Sequence, residues 1–273
     1  MPSTDIIIVS YNSASVIASA VQSCSHVPVV VDNASRDGSA DAAAAAGAEV
    51  IRNPRNLGFG TGCNIGARAG CAPLILFLNP DATLEDDTLV RLEAAAAADP
   101  GAGAWAPRIV EADGRLFFRR RSFLLPRGVR QPVPEADADV LMLSGAVLMV
   151  RRTAFEAIGG FDETIFLFHE DDDLCLRLTR AGWRLRHVHG AVARHGRGRS
   201  SGETDAMRHF RAREAALSQT HVAAKHGRPL RVAIEIWRAR WRRTVARLQG
   251  RRDRVAALSG RIDGLLAARA SQG

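Results

Sequence analysis

Four short aliphatic runs, "DIIIVS" at 5–10, "VPVVVD" at 27–32, "AEVIRN" at 48–53 and "LILFLNPD" at 74–81, alternate with the Ala-rich, helix-compatible stretches 14–24, 39–46 and 61–70. Near-continuous apolar strands separated by helices cannot lie on a half-solvated sheet; they require a mostly parallel sheet covered by helices on both faces. The first 100 residues therefore read as an α/β unit with a Rossmann-like central sheet. In such sheets ligands sit beyond the carboxyl ends of the strands. Here those ends read "SYNS", "DNASRDGS", "NPRNLGFGTGCNIG" and "NPDA". Each is ordinary turn chemistry alone; four at one sheet edge point to a polar pocket.

Past residue 100 the spacing changes. "GAWAPRIV" and "GRLFF" read as short strands, and residues 119–139, with three Pro and five Arg, read as a mobile surface loop, a lid or an acceptor-binding segment. "VLMLSGAVLMV" at 140–150 reads as a buried strand, and "RTAFEAIGGFD" as a short helix stopped by Gly159 and Gly160. Glu170, Asp171, Asp172 and Asp173 then open a helix with Leu174, Leu178 and Ala181 at helical spacing, closing at Gly182. A helix start favours one or two carboxylates. Four in a row repel one another and need a further compensating charge. Asp173 and Arg177, four apart, are spaced for an ion pair.

The net charge is +8, but residues 228–273 hold 12 Arg against Glu235, Asp253 and Asp263, so the first 227 residues are close to neutral. A basic charge confined to a tail, with no recognised nucleic-acid motif beside it, argues against a nucleic-acid-binding protein. Within the tail, Ile234, Trp237, Trp241, Val245 and Leu248 recur at helical spacing and are flanked by Arg238, Arg242, Arg243 and Arg247. Two readings stand side by side: an amphipathic helix on an anionic membrane surface, or a helix packed on the body or pairing in a homodimer. The expected organisation is a catalytic domain over 1–227 and a basic amphipathic helical tail over 228–273. Cys24, Cys63, Cys71 and Cys175 show no CxxC pair, which reads as reduced thiols of a cytoplasmic protein. The longest apolar stretch is about half of the ~20 residues a spanning helix requires.

Gly58, Gly60 and Gly62 do not make GxGxxG and follow the third strand, which argues against a nicotinamide cofactor. Asp81, delivered by "NPD" to the sheet edge, suits a hard divalent cation that keeps waters and takes phosphate oxygens. The ordered set "VSYN", "VVDNASRDGS", "NxGFGxGxN", "NPD", "SGAxLMxRR", "GGFDE", "EDxDLCxR" and "VxRHGxGxSSG", over roughly residues 5–227, resembles glycosyltransferase family 2, with the GT-A fold, and most its rhamnosyltransferase-like branch. The resemblance implies inverting transfer of a sugar, rhamnose among the candidates, from a dTDP- or UDP-type donor to the hydroxyl of a saccharide or lipid-linked saccharide in cell-surface polysaccharide assembly. It puts Tyr11 and Asn12 near the nucleoside, Asp32 on the pyrimidine with Asn33 beside it, and Asn56, Gly58, Gly60 and Asn64 along the ribose, phosphates and donor sugar.

Asn79 stands where the family's DxD-like motif has its first Asp, which leaves Asp81 as the one carboxylate for Mg²⁺ or Mn²⁺. His195 matches a histidine near the diphosphate or metal, with His187 and His189 as close alternatives. Asp171 matches the catalytic base, and inverting transfer does need a group to take the acceptor's proton. Crowding by Glu170, Asp172 and Asp173 is expected to raise its proton affinity, and the neighbouring acids are placed to orient acceptor hydroxyls. The competing expectation is a catalytically silent sugar-nucleotide-binding or scaffold protein, free to lose Asp81 or Asp171.

Overall fold

The computed structural model describes residues 3–126, 128–196 and 204–270. Its opening elements follow the aliphatic runs: β1 (Thr4–Ser10), α1 (Ile17–Gln22), β2 (Val29–Asp32), α2 (Ser39–Ala45), β3 (Glu49–Arg52), α3 (Phe59–Ala69) and β4 (Leu74–Leu78). β1, β2, β3 and β4 pair in parallel, with Ser10 opposite Asp32 and Asp32 opposite Arg52. The next elements are β5 (Ala82–Leu84), α4 (Thr88–Ala98), β6 (Ala102–Glu111), β7 (Leu116–Phe117), β8 (Ala138–Asp139), β9 (Val147–Arg151), α5 (Arg152–Ala157), α6 (Glu170–Arg180) and β10 (Arg184–His195). One mostly parallel sheet runs β3-β2-β1-β4-β9-β6-β10-β5, with β9 antiparallel to both β4 and β6 and β10 parallel to β6.

Alternation along a strand sends successive side chains to opposite faces, and both faces of this sheet are covered. Ile6, Ile8, Val30, Leu76 and Leu78 pack in one core with Ile17 and Ala20 of α1, Ala43 of α2 and Leu89 and Leu92 of α4. Ile7, Val9 and Val31 turn the other way, towards α3. That helix lies very close: a Cβ at Gly62 would stand 2.8 Å from Val9 Cγ1, and one at Gly66 2.3 Å from Ile7 Cγ2. Gly62, one of the glycines that mimic a dinucleotide fingerprint, thus serves helix–sheet packing together with Gly66.

Two sequence expectations change, and one strand has no counterpart in the sequence reading. Only Val147–Arg151 of the run 140–150 is a strand; residues 140–146 are irregular because their backbone groups are spent elsewhere, Leu141 N on Gln131 and Gly145 N on Asp171. The segment 119–139 is fastened, with Leu124 and Gln131 buried. The strand β10, twelve residues long, lies in a stretch whose basic and His positions hide its alternation. The Asp173–Arg177 pair forms at 2.7 Å as its spacing predicts.

The chain divides into two compact units, residues 1–163 with 171–200, and 164–170 with 201–273. In the second, α7 (Asp205–Lys225), α8 (Val232–Leu248) and α9 (Arg252–Ala270) pack through Ala216, Ile236 and Leu265. The Thr204 hydroxyl caps α7 by accepting from Met207 N at 3.2 Å. The stripe picked out in the tail sequence is not the buried face of α8: Ile236, Ala239 and Ala246 are buried, whereas Trp237 is 67% and Trp241 61% exposed. No helix among the described residues is long and apolar enough to cross a membrane.

Gly66→Ala tests the α3 contact. Overpacking against two buried β-branched side chains costs about 1–3 kcal/mol, which exceeds the gain of up to about 1 kcal/mol in helix propensity. A lower urea midpoint at unchanged m is expected.

Candidate active site

The carboxyl ends of β1, β2 and β3 are laced together by their own polar residues. Asn12 N donates to Ser35 Oγ at 2.9 Å, and Asn12 Oδ1 accepts from Arg36 N at 2.9 Å. Asn33 Nδ2 donates to Gly58 O at 3.0 Å, while Asn33 Oδ1 accepts from Asn53 Nδ2 at 2.8 Å. Asn56 Oδ1 accepts from Gly58 N at 3.0 Å. Gly58, with φ 89° and ψ 170°, holds a backbone conformation open essentially to glycine alone and starts α3.

Among these predicted donor-side residues, Tyr11 is exposed and Asp32 is buried. Asp32 accepts Ser35 N at 2.9 Å and Ser35 Oγ at 2.6 Å, two of about four acceptor sites on a carboxylate. Asn64 differs. Its amide donates to Phe161 O and Glu163 Oε1 and accepts from Phe161 N, all at 2.9–3.0 Å, so it clamps α3 to the 161–163 loop. Gly60 lies against the same loop, 3.0 Å from Phe161 Cβ to its ideal Cβ.

At the end of β4, Asn79 N donates to Ala146 O at 2.9 Å. One residue earlier, Gly145 N donates to Asp171 Oδ2 at 3.0 Å. The Asn79 backbone and the Asp171 carboxylate therefore border the same turn, and Asp81 follows Asn79 by two residues. The register of β5 on β10 sets His195 opposite Ala82, and His195 Nε2 stands 3.2 Å from Asp81 Oδ1. His195 Nδ1 is buried without a hydrogen-bond partner among the described residues.

An imidazole nitrogen and a carboxylate oxygen at this distance match the edge of roughly 3 Å between neighbouring ligands that each lie about 2.1 Å from an octahedral ion. The pair fits a divalent ion held by two protein groups plus phosphate oxygens and water. Among the described residues no group of three or more His, Cys, Asp and Glu is arranged to hold a metal ion. Residues 197–202 of the "VxRHGxGxSSG" motif lie outside the described residues.

The charge that the acidic turn needs comes from Arg119. Its Nη1 stands 2.7 Å from Asp171 Oδ1 and 2.9 Å from Asp172 Oδ1, while Arg177 pairs with the fully buried Asp173. Glu170, the first residue of α6, is buried. Asp171 Oδ1 also accepts from Asp172 N at 2.8 Å, which fills its two lone pairs; Oδ2, holding only Gly145 N among the described residues, keeps one open. Two residues immediately before the helix, Phe168 (φ 69°) and His169 (φ 66°), hold left-handed conformations, the kind of local strain that collects at functional sites.

Arg119 and Gly145 escaped the sequence reading. The traces they leave are a run of three Arg facing a run of four acids in composition, and a "SGA" turn inside an apolar run.

Of the two alternatives to His195, His187 packs edge-on to Phe118 and lies beside His189. Burial, with a smaller push from His189, lowers its pKa to about 4. Burial likewise pushes the Cys24 and Cys175 thiols up to about 12, leaving them poor nucleophiles. A histidine with a folded pKa below its unfolded value binds fewer protons in the fold. Its contribution is full above pH ~6.5 and is lost as pH falls towards 4, up to about 3 kcal/mol. The acid-side loss of stability over that window is expected to shrink in His187→Phe, read from urea midpoints at pH 7 and pH 4.5.

The profile of glycosyl transferase family 2 matches residues 5–159, and one described as N-terminal domain of galactosyltransferase matches 134–199. Among curated relatives, the N-acetylglucosaminyl-diphospho-decaprenol L-rhamnosyltransferase of Mycobacterium tuberculosis is 32% identical over 231 residues, 72% of this chain and 71% of that protein. Among solved structures, a mannosyltransferase from Pyrobaculum calidifontis in complex with GDP-Man and Mn²⁺ aligns with TM-score 0.58 and 17% identity, over 100% of this chain and 76% of that one. The Mycobacterium tuberculosis glucosyl-3-phosphoglycerate synthase, in complex with Mn²⁺, UDP-glucose and phosphoglyceric acid, aligns with TM-score 0.59 and 14% identity, over 84% and 81%. A profile match spanning more than half of the chain and a relative at this identity and coverage make this chain a member of glycosyl transferase family 2, with the GT-A fold its parallel strands and paired helical layers announce.

Proposed function

We propose that this chain is an inverting glycosyltransferase in which Asp171 Oδ2 takes the proton of an acceptor hydroxyl. The acceptor oxygen attacks the anomeric carbon of a nucleoside-diphosphate sugar, the bond from that carbon to the diphosphate breaks on the opposite face, and the nucleoside diphosphate leaves with the electron pair. The observation that carries this reading is the contact path Asn79–Ala146 and Gly145–Asp171, which ties the acidic helix to the edge that bears Asp81. On the donor side, Asp32 has acceptor sites left for a pyrimidine edge, Asn12, Asn33, Asn56 and Gly58 belong to the laced strand ends around it, and Gly60 and the exposed Tyr11 are the further candidates to meet the donor. A dTDP or UDP donor agrees with those strand ends, and a neighbouring structure holds UDP-glucose.

Asp81 and His195 would hold Mg²⁺ or Mn²⁺. A bound divalent ion would offset the charge arriving on the departing diphosphate. Gly145 N and Arg119 keep the Asp171 carboxylate oriented, and Glu170 and Asp172 are the candidates to orient the acceptor. Rhamnose as the sugar and a lipid-linked saccharide of the cell surface as the acceptor follow the relative named above.

Asp171→Asn is expected to lower turnover by about 10² or more. The thermal shift produced by a panel of nucleotide sugars with and without Mn²⁺ should stay close to that of the parent protein. Retained turnover in the variant would remove Asp171 as the base, and no shift with any nucleotide sugar would favour a silent scaffold.

The second unit supports attachment to an anionic membrane. Trp237, Trp241 and Leu248, the last 85% exposed, form an uncovered apolar stripe on α8. Between α8 and α9 runs a groove of about 420 Å³ lined in part by Trp241, Val245, Leu258, Arg242 and Arg254. Glu235 is occupied by Arg238 and Arg261, and Asp263 by His209, so little acidic charge opposes the arginines. Aromatic side chains beside arginines suit the headgroup layer. Flotation with phosphatidylglycerol vesicles is expected for the full chain and lost in Trp237→Ser/Trp241→Ser; binding unchanged by the substitutions, or a dimer that they dissociate, would count against it.

A further inference from the structure

The arginine-bearing segment that supplies Arg119 has a feature that the transfer reaction does not use. Its two ends are pinned together: Gln131 N donates to Arg120 O at 3.0 Å, and the buried Gln131 amide donates to Arg119 O at 2.5 Å and to Met142 O at 2.9 Å. Leu141 N completes the clamp by donating to Gln131 Oε1 at 2.7 Å. Arg120 and Arg121 on one side of this neck and Arg130 on the other are exposed, and their guanidinium groups have no ion pair among the described residues. Of the nearest acids along the chain, Asp139 pairs with Arg186 at 3.0 Å, while Asp137, accepting from His189 N at 2.7 Å, and Glu135 are exposed; none of the three is in an ion pair with these arginines among the described residues.

Three exposed guanidinium groups on one fastened neck are available to an anion, and a planar fork donating two parallel bonds is suited to phosphate oxygens. The neck is joined directly to the base, since Arg119 is the residue before Arg120 and its guanidinium holds Asp171. In inverting transfer the base stands on the face opposite the leaving nucleoside diphosphate. The backbone that bears Arg120 and Arg121 is therefore fastened beside the base, on the acceptor's side of the reacting carbon, whereas the donor phosphates are expected near Asp81.

Resting on the transferase reading, we infer that Arg120, Arg121 and Arg130 bind the diphosphate of a diphosphate-linked saccharide acceptor. Arg119, shared between the clamp and Asp171, sets the distance from that diphosphate to the hydroxyl that reacts. The acceptor class is then read by charge at the neck, and the sugar hydroxyl by Asp171 and its neighbours. Arg119 acts as a positioning residue, because it works through Asp171.

The test uses the full chain with its donor site filled by excess of whichever nucleoside diphosphate the thermal-shift panel identifies. Titration calorimetry compares N-acetylglucosaminyl diphosphofarnesol with octyl N-acetylglucosaminide and with phosphatidylglycerol vesicles that carry no sugar. The parent protein is expected to bind the diphosphate probe at least tenfold more tightly than the neutral glycoside. Arg120→Ala/Arg121→Ala/Arg130→Ala should bring the two within twofold while leaving the nucleotide-sugar thermal shift unchanged, and the triple Lys variant should recover part of the preference. Equal affinity for both glycosides in the parent, preference retained in the triple Ala variant, or an arginine effect seen with vesicles alone overturns the inference. If nucleotide sugars still bind and turn over in that case, the transferase reading stands without it; if none binds, the transferase reading itself fails.

Discussion

Asp171, Asp172 and Asp173 cannot all be buried in the first turns of one helix as carboxylates unless cations are brought to them, and two arginines from different parts of the chain do this. Arg177 comes from the same helix and answers Asp173; Arg119 arrives from 52 residues upstream and sits between the other two. Like charges in a low-dielectric setting gain far more from a paired cation than exposed ones do, and lose far more when it is removed. The irregular stretch 140–146, the Gln131 clamp and the aim of Asp171 Oδ2 all follow from holding Arg119 and Gly145 N in place around this turn.

The same arrangement separates two kinds of work that the acidic run performs. Asp173 is fully buried and tied to Arg177, which also donates to Ile158 O at 2.8 Å, so its contribution is structural. Asp171 is held by Gly145 N of the turn that also meets the end of β4, and among the described residues its Oδ2 has one acceptor position left open. A catalytic carboxylate needs a fixed direction and a vacant lone pair together, and Gly145 N supplies the direction without filling the vacancy.

The strand order puts these groups together. β9 inserts antiparallel between β4 and β6, which brings the turn before it, Ser144–Ala146, to the carboxyl end of β4 where "NPD" emerges. β10 then pairs with β5, setting His195 against Asp81. Three sequence-distant motifs of the family converge because one strand in the middle of a parallel sheet runs the other way.

The amino-acid sequence by itself determined the parallel half of the sheet, its covering helices, the polar strand ends and the family motifs, because periodicity and turn chemistry are local and survive in one dimension. It also marked Asp171 and Asp81 by residue type and position. Which partner each of them meets was decided only by the tertiary structure. Arg119 is one arginine among five in a Pro-rich stretch that reads as solvated loop, and Asn64 looks like a pocket residue until its amide is seen to be spent on the 161–163 loop. On α8, spacing identified the apolar stripe correctly but not its surroundings, since helical periodicity says which residues share a face and carries no information on whether another element covers it.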